Sequence, residues 1–181
     1  MSSPAPAGTA IRRMRVEDVP AVHEIDTLSF SMPWSERSYR FELTENHNSS
    51  CWVAESVPGD GPGLVIGMMV NWIILDEVHI ATIAVHPDYR RLGIGRRLLA
   101  QGLLAARERG VSLAFLEVRR GNLAAQAMYR QFGFVVSGER VKYYKDNNED
   151  ALLMNLHRLD LVEPVRLKEL AGWVETKPAG G

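Results

Sequence analysis

The chain has 181 residues, 46% hydrophobic and 24% charged, which is long enough to bury a real core and excludes a wholly disordered protein. Its 21 basic and 22 acidic residues leave a net charge of −1, so bulk charge does not draw it to nucleic acid, and Cys51 is alone, which excludes an intrachain disulfide or a cysteine-rich zinc site. The longest nearly apolar run, Gly63 to Leu75, contains Asn71 and is too short to span a bilayer, and Arg12, Arg13 and Arg15 are not followed by the apolar stretch of a signal peptide. These bounds describe a cytoplasmic, single-domain protein with no membrane partner.

In chain order, residues 1–9 read as a disordered tail of small residues and prolines, and Ala10 to Met14 as a first strand. Val22, Ile25 and Leu28 have helical spacing within Glu17 to Phe30. Pro33-Trp34-Ser35 breaks that helix, and Ser35 is placed to cap a second one ending near Glu45. Cys51 to Glu55 and Leu64 to Leu75 read as a hairpin around the turn residues Pro58 to Pro62. Val78 to Val85 is a strand-like run, and Pro87-Asp88 turns the chain into a helix from Ile94 to Arg109. Ile94, Leu98, Gly102 and Ala105 lie on one face of that helix, and Gly110 stops it. Leu113 to Val118 is a strand, Leu123 to Gln131 a helix, Phe134 to Arg140 a strand, Asp146 to Asp150 a polar turn and Ala151 to Leu156 the last strand. Alternating strands and helices imply parallel crossovers and the flanking hairpins antiparallel pairs, so the fold class is α/β (α+β mixed): one mixed sheet with helices on both faces. The domain spans residues 10–160. The extension 161–181 carries a short helix, with Pro164 at its start and Leu167, Leu170, Ala171 and Val174 on one face, that packs on the domain or on a partner, and then a disordered end.

Chemistry enters at Arg90-Arg91-Leu92-Gly93-Ile94-Gly95-Arg96-Arg97, four arginines in eight residues with no acid among them. Removing those four charges from the net −1 leaves −5, so this is a positive spot on an acidic body. It lies at a strand-to-helix turn, where free backbone N–H groups and the helix dipole bind phosphate. No Gly-Lys-Ser/Thr tripeptide is present, and Leu98 stands where a dinucleotide fingerprint needs glycine. The remaining pattern, Q/R-x-x-G-x-G/A, is met by Arg90, Gly93 and Gly95. That spacing, with Ile83-Ala84-Val85-His86-Pro87-Asp88-Tyr89 before it, resembles the GNAT superfamily of N-acetyltransferases. Leu116-Glu117-Val118-Arg119, Asn122, Ala125, Tyr129 and Gly133-Phe134 resemble that family's second half-site. Pro33-Trp34-Ser35, the Leu-Glu-Val-Arg strand and Arg140-Val141-Lys142-Tyr143-Tyr144 are similar to the RimI group, the bacterial ribosomal-protein-alanine N-acetyltransferases. Gly121 departs from the serine that usually precedes Asn122 in that group.

The resemblance implies a mostly antiparallel sheet of about seven strands with a splayed parallel pair in its middle. It implies acetyl-CoA as co-substrate and no metal. Ile83, Ala84 and Val85 would pair with the pantetheine arm; Arg90, Arg91, Leu92, Gly93, Ile94, Gly95 and Arg96 would hold the pyrophosphate; Asn122 would bond the pantetheine region. Extended amides need strand partners and phosphates need amides and arginine, so each role suits its residues. Glu117 matches the group's general base, and an apolar setting beside Leu113 and Phe115 would raise its pKa; its other reading is an exposed glutamate near a strand end, or one paired with Arg119 or Arg140. Tyr129 matches the acid that protonates the departing thiolate and would contact the cofactor; its other reading is core packing beside Phe132 and Phe134. His79 is the reserve base, and His23, His47, His86 and His157 form no metal pattern. Trp34, Tyr39, Tyr143 and Tyr144 would line the acceptor entrance, with Asp146, Glu149 and Asp150 supplying negative charge for a basic peptide. The implied activity is acetylation of a protein N-terminal amine, of a ribosomal small-subunit protein beginning with alanine. A lysine side chain, a polyamine or a small amine as acceptor, and a non-catalytic acyl-CoA-binding domain, are the alternatives.

Overall fold

The computed structural model describes residues 8–57 and 63–173. The turn expected at Pro58 to Pro62, the first seven residues and the end from Val174 lie outside the described residues. Seven strands form one sheet: β1 (Gly8–Arg13), β2 (Ser49–Val57), β3 (Val65–Ile74), β4 (Glu77–Val85), β5 (Leu113–Arg119), β6 (Val135–Tyr144) and β7 (Glu149–His157), in the order β1-β2-β3-β4-β5-β7-β6. Five helices are α1 (Val19–Ser29), α2 (Glu36–Thr44), α3 (Ile94–Glu108), α4 (Leu123–Gln131) and α5 (Pro164–Leu170). Every strand pair is antiparallel except β4 and β5. The mixed sheet with one parallel pair is therefore as expected.

Local chemistry explains most boundaries. Pro20 has no N–H and sits in the first turn of a helix, so α1 starts at Val19, after a short 3-10 turn, rather than at Glu17. Its buried stripe is Val19, Val22, Ile25 and Asp26; Leu28 is half exposed, against the expectation from spacing. Ser35 caps α2 by accepting from the Ser38 N–H at 3.1 Å. The first strand starts at Gly8, two residues into the expected tail, because it pairs with β2 as far as Val57.

β3 is buried along nearly its whole length, as a central strand covered on both faces must be. Met68 and Val70 pack toward Val19, Val22 and Ile25 of α1, while Ile66 and Met69 pack toward Ile94 and Leu98 of α3. Gly102 lets α3 lie close on the sheet: a Cβ there would meet Met69 Cε and come within 2.5 Å of Asn71 Nδ2. The C-terminal extension packs on this domain. Leu167 and Ala171 join the large core, and Arg107 of α3 donates to the Val162 carbonyl at 2.8 Å. Among the described residues no helix is long and apolar enough to cross a membrane.

Candidate active site

The sheet comes apart at its middle. β4 and β5 are paired only from Glu77–Leu113 to Ile80–Leu116. Beyond that, β4 stays on β3 as far as Val85 and β5 stays on β7 as far as Arg119, so the two edges diverge. A bulge in the β3–β4 register, where Val70 faces Thr82 and Asn71 faces Ile80, leaves Ala81 as the extra residue at the point of divergence. From there Ile83, Ala84 and Val85 turn toward β5 a strand edge with no strand partner among the described residues. Such an edge needs hydrogen-bond partners and accepts an extended ligand bearing amides.

At the end of that edge lies the arginine turn. Arg91 (φ 62°) and Gly93 (φ 77°) are both left-handed, which folds the chain sharply into α3 with Gly93 as its N-cap. The first helical bond is Arg97 N–H to the Gly93 carbonyl at 3.2 Å, so the N–H groups of Ile94, Gly95 and Arg96 have no partner within the helix. Arg91 and Arg96 are exposed and make no ion pair among the described residues. The bare amides and the two free guanidiniums suit a pyrophosphate. Arg90 is turned differently: it donates to the Val85 carbonyl at 3.1 Å and the Ser29 hydroxyl at 3.2 Å, bracing the turn against α1. Asn122 is the N-cap of α4. Its carbonyl oxygen accepts from the Ala125 N–H at 3.1 Å, which leaves its amide N–H groups for a ligand.

On the face of the sheet covered by α1 and α2, β5 presents Phe115, Glu117 and Arg119 in sequence. Glu117 lies past the last β4–β5 pair, level with the opening. Its setting is not apolar but paired, the alternative reading, because Arg140 Nε lies 3.2 Å from Oε1. The Tyr143 hydroxyl donates to the same carboxylate, and that bond is the chief cause holding the Tyr143 phenol above its ordinary pKa. Tyr144 is half-buried, and burial pushes its phenol up to about 12. His79 sits on the paired side of the opening, stacked on Phe115 at 5.1 Å and bonded to Glu77 Oε2 at 2.9 Å.

Tyr129 of α4 is buried against Phe134, ring centroids 5.9 Å apart, in the same cluster as Phe132. Burial, and then the charge of Tyr144, hold its phenol well above the ordinary range, so it keeps its proton at neutral pH. The ring is thus part of the core and carries a phenol that stays protonated.

Two expectations for the acceptor entrance need correction. Tyr39 is fully buried in the α1–α2 core and lines nothing. Asp146 and Glu149 are not bare charges, since both are paired with the single Arg119, and Asp150 lies 3.3 Å from Arg120. Trp34 lines an opening at the surface. Asp26 accepts from its N–H at 2.6 Å, His23 Nδ1 lies 2.9 Å from its carbonyl, and its ring stacks on Trp72 at 6.1 Å. With Phe41, Arg37 and Glu42 these two indoles line an open cleft of about 430 Å³. Trp72 and Phe41 are not legible as cleft residues in the sequence; the alternation of β3 carries Trp72 to the face covered by α1 and α2, but its apolar neighbours mask that signal. Among the described residues no cluster of His, Cys, Asp and Glu has metal-binding geometry.

A family model described as the acetyltransferase (GNAT) family matches residues 19–134. A Bacillus subtilis relative is 38% identical over 145 residues, covering 80% of this chain and 93% of that one. A ribosomal protein bS18-alanine N-acetyltransferase of Escherichia coli is 33% identical over 157 residues, covering 81% and 95%. The crystal structure of the Escherichia coli ribosomal-protein-S18-alanine N-acetyltransferase superimposes with a TM-score of 0.74 at 30% identity, covering 86% of this chain and 97% of that one. The chain belongs to the acetyltransferase (GNAT) family, and within it stands with the ribosomal-protein-alanine N-acetyltransferases.

Proposed function

We propose that this enzyme transfers an acetyl group from acetyl-CoA to the N-terminal α-amine of a protein, a ribosomal small-subunit protein beginning with alanine, in the cytoplasm. The observation that carries the reading is the divergence of β4 from β5, with bare helix amides and arginines at one end and Glu117 on the opposite face of the sheet. The activity named for the Escherichia coli relative supports it. Acetyl-CoA supplies the acetyl group as an activated thioester. Arg91, Arg96 and the amides of Ile94 to Arg96 hold its pyrophosphate, and the free edge at Ile83 to Val85 and the Asn122 amide hold its extended arm.

The rest of the work falls to side chains of this protein. The α-amine must be neutral to attack, so Glu117 takes its proton, through water. The tetrahedral oxygen needs a donor, which the unpaired β4 edge offers. Tyr129, kept protonated, gives its proton to the departing sulfur. Proton supply also selects the acceptor. A peptide α-amine has an ordinary pKa near 7.8 and a lysine amine near 10.4, so the neutral α-amine is about 400 times more abundant at neutral pH, worth about 3.5 kcal/mol. One glutamate half in water is adequate for the first and weak for the second.

The test uses two peptides of identical basic sequence containing lysine, one with a free N-terminus and one already capped. Mass spectrometry is expected to place the acetyl group on the free terminus and to find the capped peptide nearly inert. Comparable rates on both would make lysine the acceptor and overturn the reading.

A further inference from the structure

The acceptor mouth has two walls that are far apart in the chain and are not neighbours in the sheet. One is the segment between α1 and α2, which carries Ser31 and Trp34. The other is the end of the β6–β7 hairpin, which carries Tyr143, Tyr144 and Asp146. Arg119, the last residue of β5, fills the space between them on the same face as Glu117.

Both terminal nitrogens of its guanidinium are engaged. Nη2 donates to Asp146 Oδ2 at 2.9 Å and to Ser31 Oγ at 3.3 Å. Nη1 donates to Glu149 Oε2 at 3.1 Å and to Asn147 Oδ1 at 3.2 Å, and the group lies 3.9 Å from the centroid of the Tyr144 ring. Ser31 donates in turn to Asp146 Oδ2 at 2.6 Å, so the two walls touch at that point. The other oxygen of Glu149 accepts from the Gly121 N–H at 2.7 Å, one residue before the cap of α4. A Cβ on residue 121 would lie 2.8 Å from that oxygen, so any other residue there would make the carboxylate end shift.

We propose that Arg119 is a positioning residue for the acceptor: it fixes the spacing of the two walls, and through it the affinity for the incoming chain end. This rests on the acceptor reading given above. One cation faces two carboxylates, so the guanidinium is held within the turn by both and is not itself offered to the acceptor. A planar fork of five N–H donors can serve four acceptors in different directions and stack on a ring at once; a lysine ammonium cannot. Each contact alone is half in water and weak, but contacts sharing one rigid group act together.

The test is steady-state kinetics on the full chain, with a free N-terminal peptide varied at saturating acetyl-CoA, and calorimetry of acetyl-CoA binding. Arg119→Gln is expected to raise the peptide KM about tenfold while the acetyl-CoA Kd stays within about twofold. Arg119→Lys, which keeps the charge and loses the fork, is expected to resemble Arg119→Gln rather than the wild type. Ser31→Ala is expected to raise the peptide KM about threefold in the wild type and to add nothing to Arg119→Gln, because the same bridge is already open. An unchanged peptide KM in Arg119→Gln, or full additivity of Ser31→Ala with it, overturns the proposal. Should Arg119→Gln fail to fold, Ser31→Ala and Asp146→Asn, both at exposed positions, decide the matter: additive effects overturn it and a shared effect supports it. Wild-type turnover of the peptide separates the two possible failures. Its absence refutes the acceptor reading; its presence with an unchanged KM in Arg119→Gln refutes this role for Arg119.

Discussion

Glu117→Gln separates a base from a strut, because the two roles predict effects of very different size. The ion pair with Arg140 spans 3.2 Å, but the side chains are 30% and 55% exposed, so water screens most of it and its loss costs about 0.5 kcal/mol or less. For a chain of this length that moves the melting temperature by roughly 1–2 °C. Loss of a general base lowers turnover by about 10²- to 10⁴-fold, which is about 2.7–5.4 kcal/mol of barrier. The assay is thiol release at saturating acetyl-CoA and peptide, beside thermal melts and calorimetry of acetyl-CoA. The expected outcome is a collapse of kcat with melting temperature and acetyl-CoA affinity nearly intact. Spectrophotometric titration gives an independent readout: without the carboxylate, the Tyr143 phenol should fall back toward its ordinary 10.0. Turnover within about threefold of wild type would refute the base role. If His79→Ala were then inactive, the role would pass to His79.

Replacing Arg91 and Arg96 together with glutamine is expected to weaken acetyl-CoA binding, and added salt should weaken the wild type more than the variant; unchanged affinity by calorimetry would remove this turn from the site. Gly102→Ala sets a methyl group against Met69 and Asn71 and is expected to cost about 1–3 kcal/mol, seen as a fall of roughly 3–10 °C in melting temperature, with no change if α3 can shift freely. Burial holds the Asp26 carboxyl above its ordinary 3.8, so wild-type stability from this group is complete below that value and is lost as pH rises through the folded value. Asp26→Asn keeps an acceptor for the Trp34 N–H and does not ionise. Its melting temperature relative to wild type should therefore climb across that window and level off above it, and a pH-independent difference would contradict the sign.

The parts of the fold legible in the sequence are those written within a few residues. The stripe of Ile94, Leu98, Gly102 and Ala105 identifies the buried face of α3, and all four are buried. Ser35 announces the start of α2 and Gly93 that of α3. Strand order is different in kind. The passage from β5 through α4 to β6 makes those strands run the same way, but β7 enters between them, a choice made by packing across the whole sheet. The arginine turn was visible as a charge cluster, whereas the turning of Arg90 toward Ser29 depends on a contact 61 residues away. The acidic turn was misread for the same reason. Asp146 and Glu149 are 27 and 30 residues from Arg119, and composition does not reveal that both are bonded to it. Tyr39 shows the converse error, since an aromatic on a polar helix can face inward when its neighbours are Val22 and Ile25.

An exposed strand edge ordinarily invites a neighbouring protein to add its own strand, which is why outer strands are short, charged or covered. Here the sheet leaves an edge open in its interior, along Ala81 to Val85, and guards it by location instead. Ala84 packs under α1 on one side, and Ile83 and Val85 under α3 on the other. Another folded protein cannot align a strand there without displacing a helix. A slender molecule with few side branches can slide in edgewise and satisfy the same hydrogen bonds. The opening between β4 and β5 is thereby hidden from aggregation, with access limited by width.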